Sequence, residues 1–312
     1  GAGALTLNAA GGVTLNDGLT TAGATVIDAD TNDNGSGTFS ISAAKALSTT
    51  GNTLSITADD IALNGTLNSG AAATTILVSD GGTIGLGATA GNMTISGAEL
   101  QNITATGLTV GDTAAGSITV NGITAANSNN VSGTTSLVAG GNGAIVTFAT
   151  AASTFNALSA SGDDRVVVDV AITTDTGNLA LDGDADNAAD TNDNVAIAAG
   201  LTLTSAGSIT LDATTGNITG AGALTLNAVG GVTLNDSLTT AGATVIDADT
   251  DDNGAGTFTL AASKALSTTA NTLSITADDI ALSGTVNTAG STTTLLVSDG
   301  GTIGLGATAG NM

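Results

Sequence analysis

The sequence predicts an all-β fold, a parallel β-helix (β-solenoid) of roughly 20-residue coils. Three observations predict it. The chain repeats itself over a long period. Short segments alternate apolar and polar residues between turn formers. The composition suits thin stacked strands: 312 residues include 45 Gly and only four Phe, with no Pro, Cys, His, Trp or Tyr.

Residues 1–93 recur as 220–312 at an offset of 219 with no gap, and 17 of the 93 positions differ, such as Ala10 against Val229 and Gly18 against Ser237. Residues 1–219 thus form one full repeat and 220–312 part of a second, within one continuous solenoid segment expected over 1–312. The chain starts and stops inside a repeat, so a fragment of a larger polypeptide is expected, and the lack of a signal segment carries no message about localisation.

A shorter rhythm of apolar residues lies within the long repeat. Residues 4–7 (ALTL), 12–15 (GVTL), 38–41 (TFSI), 53–56 (TLSI), 83–86 (TIGL), 117–120 (SITV) and 208–211 (SITL) all place apolar residues two apart, the period of a strand. Gly, Asn and Asp separate them, as turns require. Thr, Val and Ile favour strands, and no stretch of ten or more residues shows helical spacing flanked by caps. Three such strands with their turns make one coil. Isolated hairpins this short would be unstable, but stacked coils hydrogen-bond to their neighbours. The absence of Pro agrees, because central strands donate on both edges. At about 20 residues a coil, the 312 residues would give about 16 coils and, at about 4.8 Å each, a rod on the order of 75 Å long. A β-sandwich array would carry large core aromatics and domains of about 100 residues, and neither is present.

Composition excludes much chemistry. Without Cys or His there is no disulfide framework, zinc finger, haem or thiolate site, and no Ser/His or Cys/His dyad. Lys and Arg number three against 27 Asp and Glu, a formal net charge of −24. Three basic residues cannot neutralise a nucleic-acid backbone. No apolar run is long enough to span a membrane.

The segments GALTLNAAGGVTLND (3–17), AELQNITATGLTVGD (98–112) and GSITLDATTGNITGAGALTLNA (207–228) resemble filamentous-haemagglutinin-type β-helix repeats. Such repeats occur in very large bacterial exoproteins and adhesins, and the resemblance covers essentially the whole chain. It implies a right-handed parallel β-helix, secretion across the outer membrane, and a cell-surface fibre, sheath or adhesin stalk. Expected partners are other copies, end to end or lateral, and a cell-surface or glycan ligand. An adhesin or carbohydrate-binding module carried on the rod is the alternative. A polysaccharide-active enzyme or an ice-binding solenoid is a weaker one.

The acidic loops are the candidate sites. Asp28, Asp30, Asn32 and Asp33 form the first, and Asp247, Asp249, Asp251 and Asp252 repeat it. Asp182, Asp184, Asp186, Asp190 and Asp193 form the third. Alternate carboxylates on an extended segment share a face, and a loop folding back would gather the oxygens that calcium takes. Calcium is the candidate cofactor. The alternative is that these are solvated turns that keep the protein soluble. The Gly is displaced from an EF-hand position and no Glu closes the loop. Catalysis would need a tuned carboxylate pair and stacking aromatics. Asp163 and Asp164 beside Arg165 are the best pair, but Arg165 is expected to serve as a surface partner for a carboxylate, and no catalytic residue is assigned. Lys45 and Lys264 are read as local charge neutralisers, and Phe39, Phe148, Phe155 and Phe258 as core.

Overall fold

The computed structural model describes residues 1–189 and 192–304. The chain divides into two compact units, Gly1–Asp163 and Asp164–Met312, each of them a stack of parallel β-coils.

In the first unit the longest sheet runs through Leu5–Asn8, Thr25–Asp28, Leu54–Ala58, Ala73–Val78, Gly107–Asp112, Thr134–Ala139 and Ala157–Gly162, in that order. Every neighbouring pair is parallel. Parallel neighbours need a long return connection, and each return carries strands of the other sheets. Val13–Leu15, Thr38–Ile41 and Asp60–Leu63 form one; Leu19–Thr20, Ala46–Ser48, Thr66–Asn68 and Ile103–Thr104 form a second. A third joins Met93–Ile95, Ile84–Gly87, Ile118–Asn121 and Ile145–Phe148.

The period-two reading holds residue by residue. Leu7, Ile27, Ile56, Ile76, Val110 and Leu137 stand in one register column pointing inward. The last five are fully buried, each burial being worth about 1.5–3 kcal/mol. Their chain neighbours Val26, Ser55, Thr75, Thr109 and Ser136 form the outward column. All four Phe are buried at 0% exposure, as core residues.

Coil length departs from expectation. Leu5 pairs with Thr25 and Leu54 with Thr74, both 20 residues on, but Thr25 pairs with Leu54, 29 on, and Ala73 with Gly107, 34 on. The extra residues form protruding loops and two short helices that the strand pattern did not predict. These are α1 (Gly97–Gln101) and α2 (Ala125–Ser128), each opened by a capping box, Ser96 with Glu99 and Thr124 with Asn127. Reciprocal side-chain bonds to the free N–H groups make such short helices possible. Glu99, the chain's one glutamate, also accepts the Leu63 N–H at 3.0 Å, so the helix is tied to the coil before it.

Among its described residues the second unit has three parallel sheets. One joins Leu179–Asp182, Ile209–Asp212, Val232–Leu234, Thr257–Leu260 and Asp279–Leu282. Another joins Arg165–Val168, Asn194–Ile197, Asn217–Gly220, Leu238–Thr240, Ala265–Ser267 and Thr285–Asn287. The third runs from Ile172–Thr174 through Leu201–Ser205, Leu224–Ala228, Thr244–Asp247 and Leu273–Ala277 to Thr293–Val297. Val166, Val195, Ile218, Leu238 and Leu266 make a fully buried column.

The two copies of the long repeat fold in the same register. Leu5 opposite Thr25 becomes Leu224 opposite Thr244, and Phe39 opposite Ile61 becomes Phe258 opposite Ile280. Burial differs where the neighbouring coil differs. Leu63, under α1, is 2% exposed, whereas its counterpart Leu282 is 43% exposed.

Candidate functional site

The first acidic loop leaves the sheet after Thr25–Asp28. Asp28 Oδ1 accepts the N–H of Asp30 at 3.1 Å, and Asp30 then turns inward to 0% exposure. Its Oδ1 accepts the Asn34 N–H at 3.4 Å; its Oδ2 accepts the Gly35 N–H at 3.2 Å and the Ser79 hydroxyl at 2.8 Å. Asn32 and Asp33 are exposed at the tip, where Asp33 takes a left-handed φ of 46°, a conformation Asp tolerates. Gly37 closes the loop, and any Cβ there would overlap the Ala29 carbonyl.

The second copy repeats this geometry. Asp249, also 0% exposed, accepts from the Asn253 N–H at 3.3 Å, the Gly254 N–H at 3.2 Å and the Ser298 hydroxyl at 2.6 Å. Asp247 accepts the Asp249 N–H at 3.3 Å, Asp251 accepts the Asn253 side-chain amide at 2.9 Å, and Asp252 has a φ of 50°. In both copies the buried carboxylate satisfies the loop's own donors and ties it to a serine 49 residues along.

Stacking adds carboxylates that sequence spacing did not reveal. Asp59 and Asp80, from the following two coils, approach Gly35, and their repeats Asp278 and Asp299 approach Gly254. Burial raises the pKa of Asp59, and the charges of Asp30, Asp60 and Asp80 raise it further. Desolvation, then Asp30 and Asp33, raise Asp80 above the usual carboxylate range. Burial, then Asp252 and Asp249, raise Asp247, against a lowering bond from the Asp249 N–H. The signal that would have found this corner is the Ser-Asp-Gly at 79–81, which recurs at 298–300.

The third loop is built differently. Asp182 ends its strand in register with Asp212. Burial raises both, and Asp182 feels Asp212, Asp184 and Asp236 as like charges. Asp212 accepts the Asn235 amide at 3.0 Å, and Asp236, 1% exposed, accepts the Ala213 N–H at 3.0 Å and the Lys264 ammonium. Asp182 Oδ1 accepts the Asp184 N–H at 3.1 Å, and Asp184 is 0% exposed. Asp184 Oδ2 accepts the Thr215 N–H at 2.6 Å, while the Thr215 hydroxyl donates to Asp193 Oδ2 at 2.8 Å. Asp186 is exposed and accepts the Ala188 N–H at 2.8 Å. Asp190 lies outside the described residues.

Among the described residues no group of three or more carboxylates is arranged to hold a metal ion. The ion pairs among them are Lys45 with Asp17 at 2.8 Å and Lys264 with Asp236. Both lysines therefore neutralise local charge as expected. Arg165 is in neither pair, and its Nε is buried without a hydrogen-bond partner. Asp163 is 4% exposed and accepts the Gly143 N–H at 2.8 Å, a turn contact. The outward column of the longest sheet in the first unit mixes Thr and Ser with Val26. Comparison with known families, with curated proteins and with solved structures finds no match.

Proposed function

We propose that this chain is a structural segment of a bacterial extracellular surface fibre, sheath or adhesin stalk, working through length, stiffness and repetition. The observation that carries this reading is the shared coil register of the two repeat copies, from Leu5 opposite Thr25 to Phe258 opposite Ile280. A long repeat that refolds the same way is a means of extending a scaffold. The resemblance of its L-T-L-N and G-G-V-T-L segments to filamentous-haemagglutinin-type repeats supports a right-handed coil and an exported location.

A groove of about 310 Å³ around Asn192–Asn194 and Thr215–Asn217 holds one carboxylate, Asp193. Another of about 430 Å³ beside Val167 and Ile197 also holds one, Asp169. Neither supplies the carboxylate pair that glycoside cleavage uses. Among the described residues no helix is long and apolar enough to cross a membrane.

Immunogold labelling of thin-sectioned cells with antibody raised against this chain tests the reading. Label along extracellular fibres is the expected result. Label confined to the cell interior would overturn it.

A further inference from the structure

The three acidic loops are alike in composition and unlike in how their buried carboxylates are answered. At Asp30 and Asp249 both oxygens meet N–H or O–H donors from the protein. Asp184 is equally buried, at 0% exposure, yet only its Oδ2 is met, by the Thr215 N–H. No donor among the described residues reaches its Oδ1, and the side-chain oxygen of Asn194 is likewise buried without a donor.

Thr215 holds Asp184 and Asp193 together, and the Asn194 backbone packs beside them. Thr215 bonds Asp184 through its N–H and Asp193 through its hydroxyl. Asn194 follows Asp193 directly, and Gly183, beside Asp184, packs so closely on the Asn194 backbone that a Cβ there would overlap it. Asp193 and Asn194 also line the groove of about 310 Å³.

A buried carboxylate oxygen with no donor is costly, and so is a buried amide oxygen. Both are acceptors, so a further acceptor does not help them. A hard cation answers carboxylate and amide oxygens together. We propose that Asp184, Asp193 and Asn194 bind one divalent cation of the calcium class. The loops at Asp30 and Asp249 do not, because hydrogen bonds already occupy their inward carboxylates. This goes beyond the fibre reading, and either can fail without the other.

Calorimetric titration of the full chain with calcium chloride tests it. A background of about 0.15 M potassium chloride screens diffuse attraction to the −24 charge. One saturable site per chain is expected. Asp184→Asn weakens it about tenfold or more, since a direct ligand matters at least as much as an outer-shell partner. Asp33→Asn and Asp252→Asn, at exposed loop tips, leave it unchanged. Hydrogen exchange on the unmodified chain gives a second readout should Asp184→Asn misfold. Calcium slows exchange of the Thr215 amide, which Asp184 accepts, and leaves the Gly35 and Gly254 amides unaffected. Absence of saturable binding, equal weakening by Asp33→Asn, or unchanged Thr215 exchange would overturn the assignment.

Discussion

Ser79 donates its hydroxyl to Asp30 Oδ2 at 2.8 Å across 49 residues of sequence, and Ser298 does the same for Asp249 at 2.6 Å. The bond pins a protruding acidic loop to the stack two coils away. It shows how the coils, and not the local sequence alone, organise the acidic corners.

Ser79→Ala removes that donor from a buried carboxylate. The expected loss is about 1–3 kcal/mol in a urea melt. Faster hydrogen exchange at the Asn34 and Gly35 amides, which Asp30 also accepts, should accompany it. A neutral substitution would show that the loop is held elsewhere.

The two lysines offer a comparison at equivalent positions. The Asp17 side chain is 90% exposed beside Lys45, whereas the Asp236 side chain is 2% exposed beside Lys264. Lys264→Met leaves a buried charge uncompensated and should cost about 3–5 kcal/mol. Lys45→Met breaks a solvated pair and should cost about 0–1 kcal/mol. Equal losses in denaturant melts would contradict the burial difference.

Phe39 and Phe258 fill equivalent interior positions at 0% exposure. Replacing either with Ala opens a cavity in a narrow core, and a loss of about 3–5 kcal/mol is expected. A loss below 1 kcal/mol in a urea melt would mean that the coils collapse around the gap.

The acidic corners give a pH dependence of definite sign. Asp59, Asp182, Asp212 and Asp247 are raised chiefly by burial. For an aspartate raised in the folded state, folding binds protons, so the group costs stability while ionised. That cost disappears as pH falls through the folded pKa toward the ordinary value. The melting temperature should therefore rise between about pH 7 and the upper edge of the usual carboxylate range near pH 4. A steady fall over that window in circular-dichroism melts would contradict the assignment.

The strand pattern was legible because an apolar residue every second position has one explanation when it recurs this often. Residues 12–15, 38–41 and 208–211 all contain strands where alternation predicted them. Coil length was not legible, because a loop such as 29–37 can lengthen without disturbing the pairing of Thr25 with Leu54. That uncertainty also hid Asp59 and Asp80, whose approach to Asp30 depends on where each coil closes. The helix at Gly97–Gln101 had a local signal, Ser96 three residues before Glu99, which the surrounding strand rhythm masked. In the third loop, composition pointed to Asp184 and Asp193, but Thr215 and Asn194 join them only through folding.

Cryo-electron microscopy of the native cell-surface material, labelled with antibody to this chain, tests the central claim most directly. The account predicts labelled fibres whose density resolves into parallel coils spaced about 4.8 Å along the fibre axis, with the long repeat returning every 219 residues. Labelled particles that are separate and globular, or fibres without that coil spacing, would contradict it.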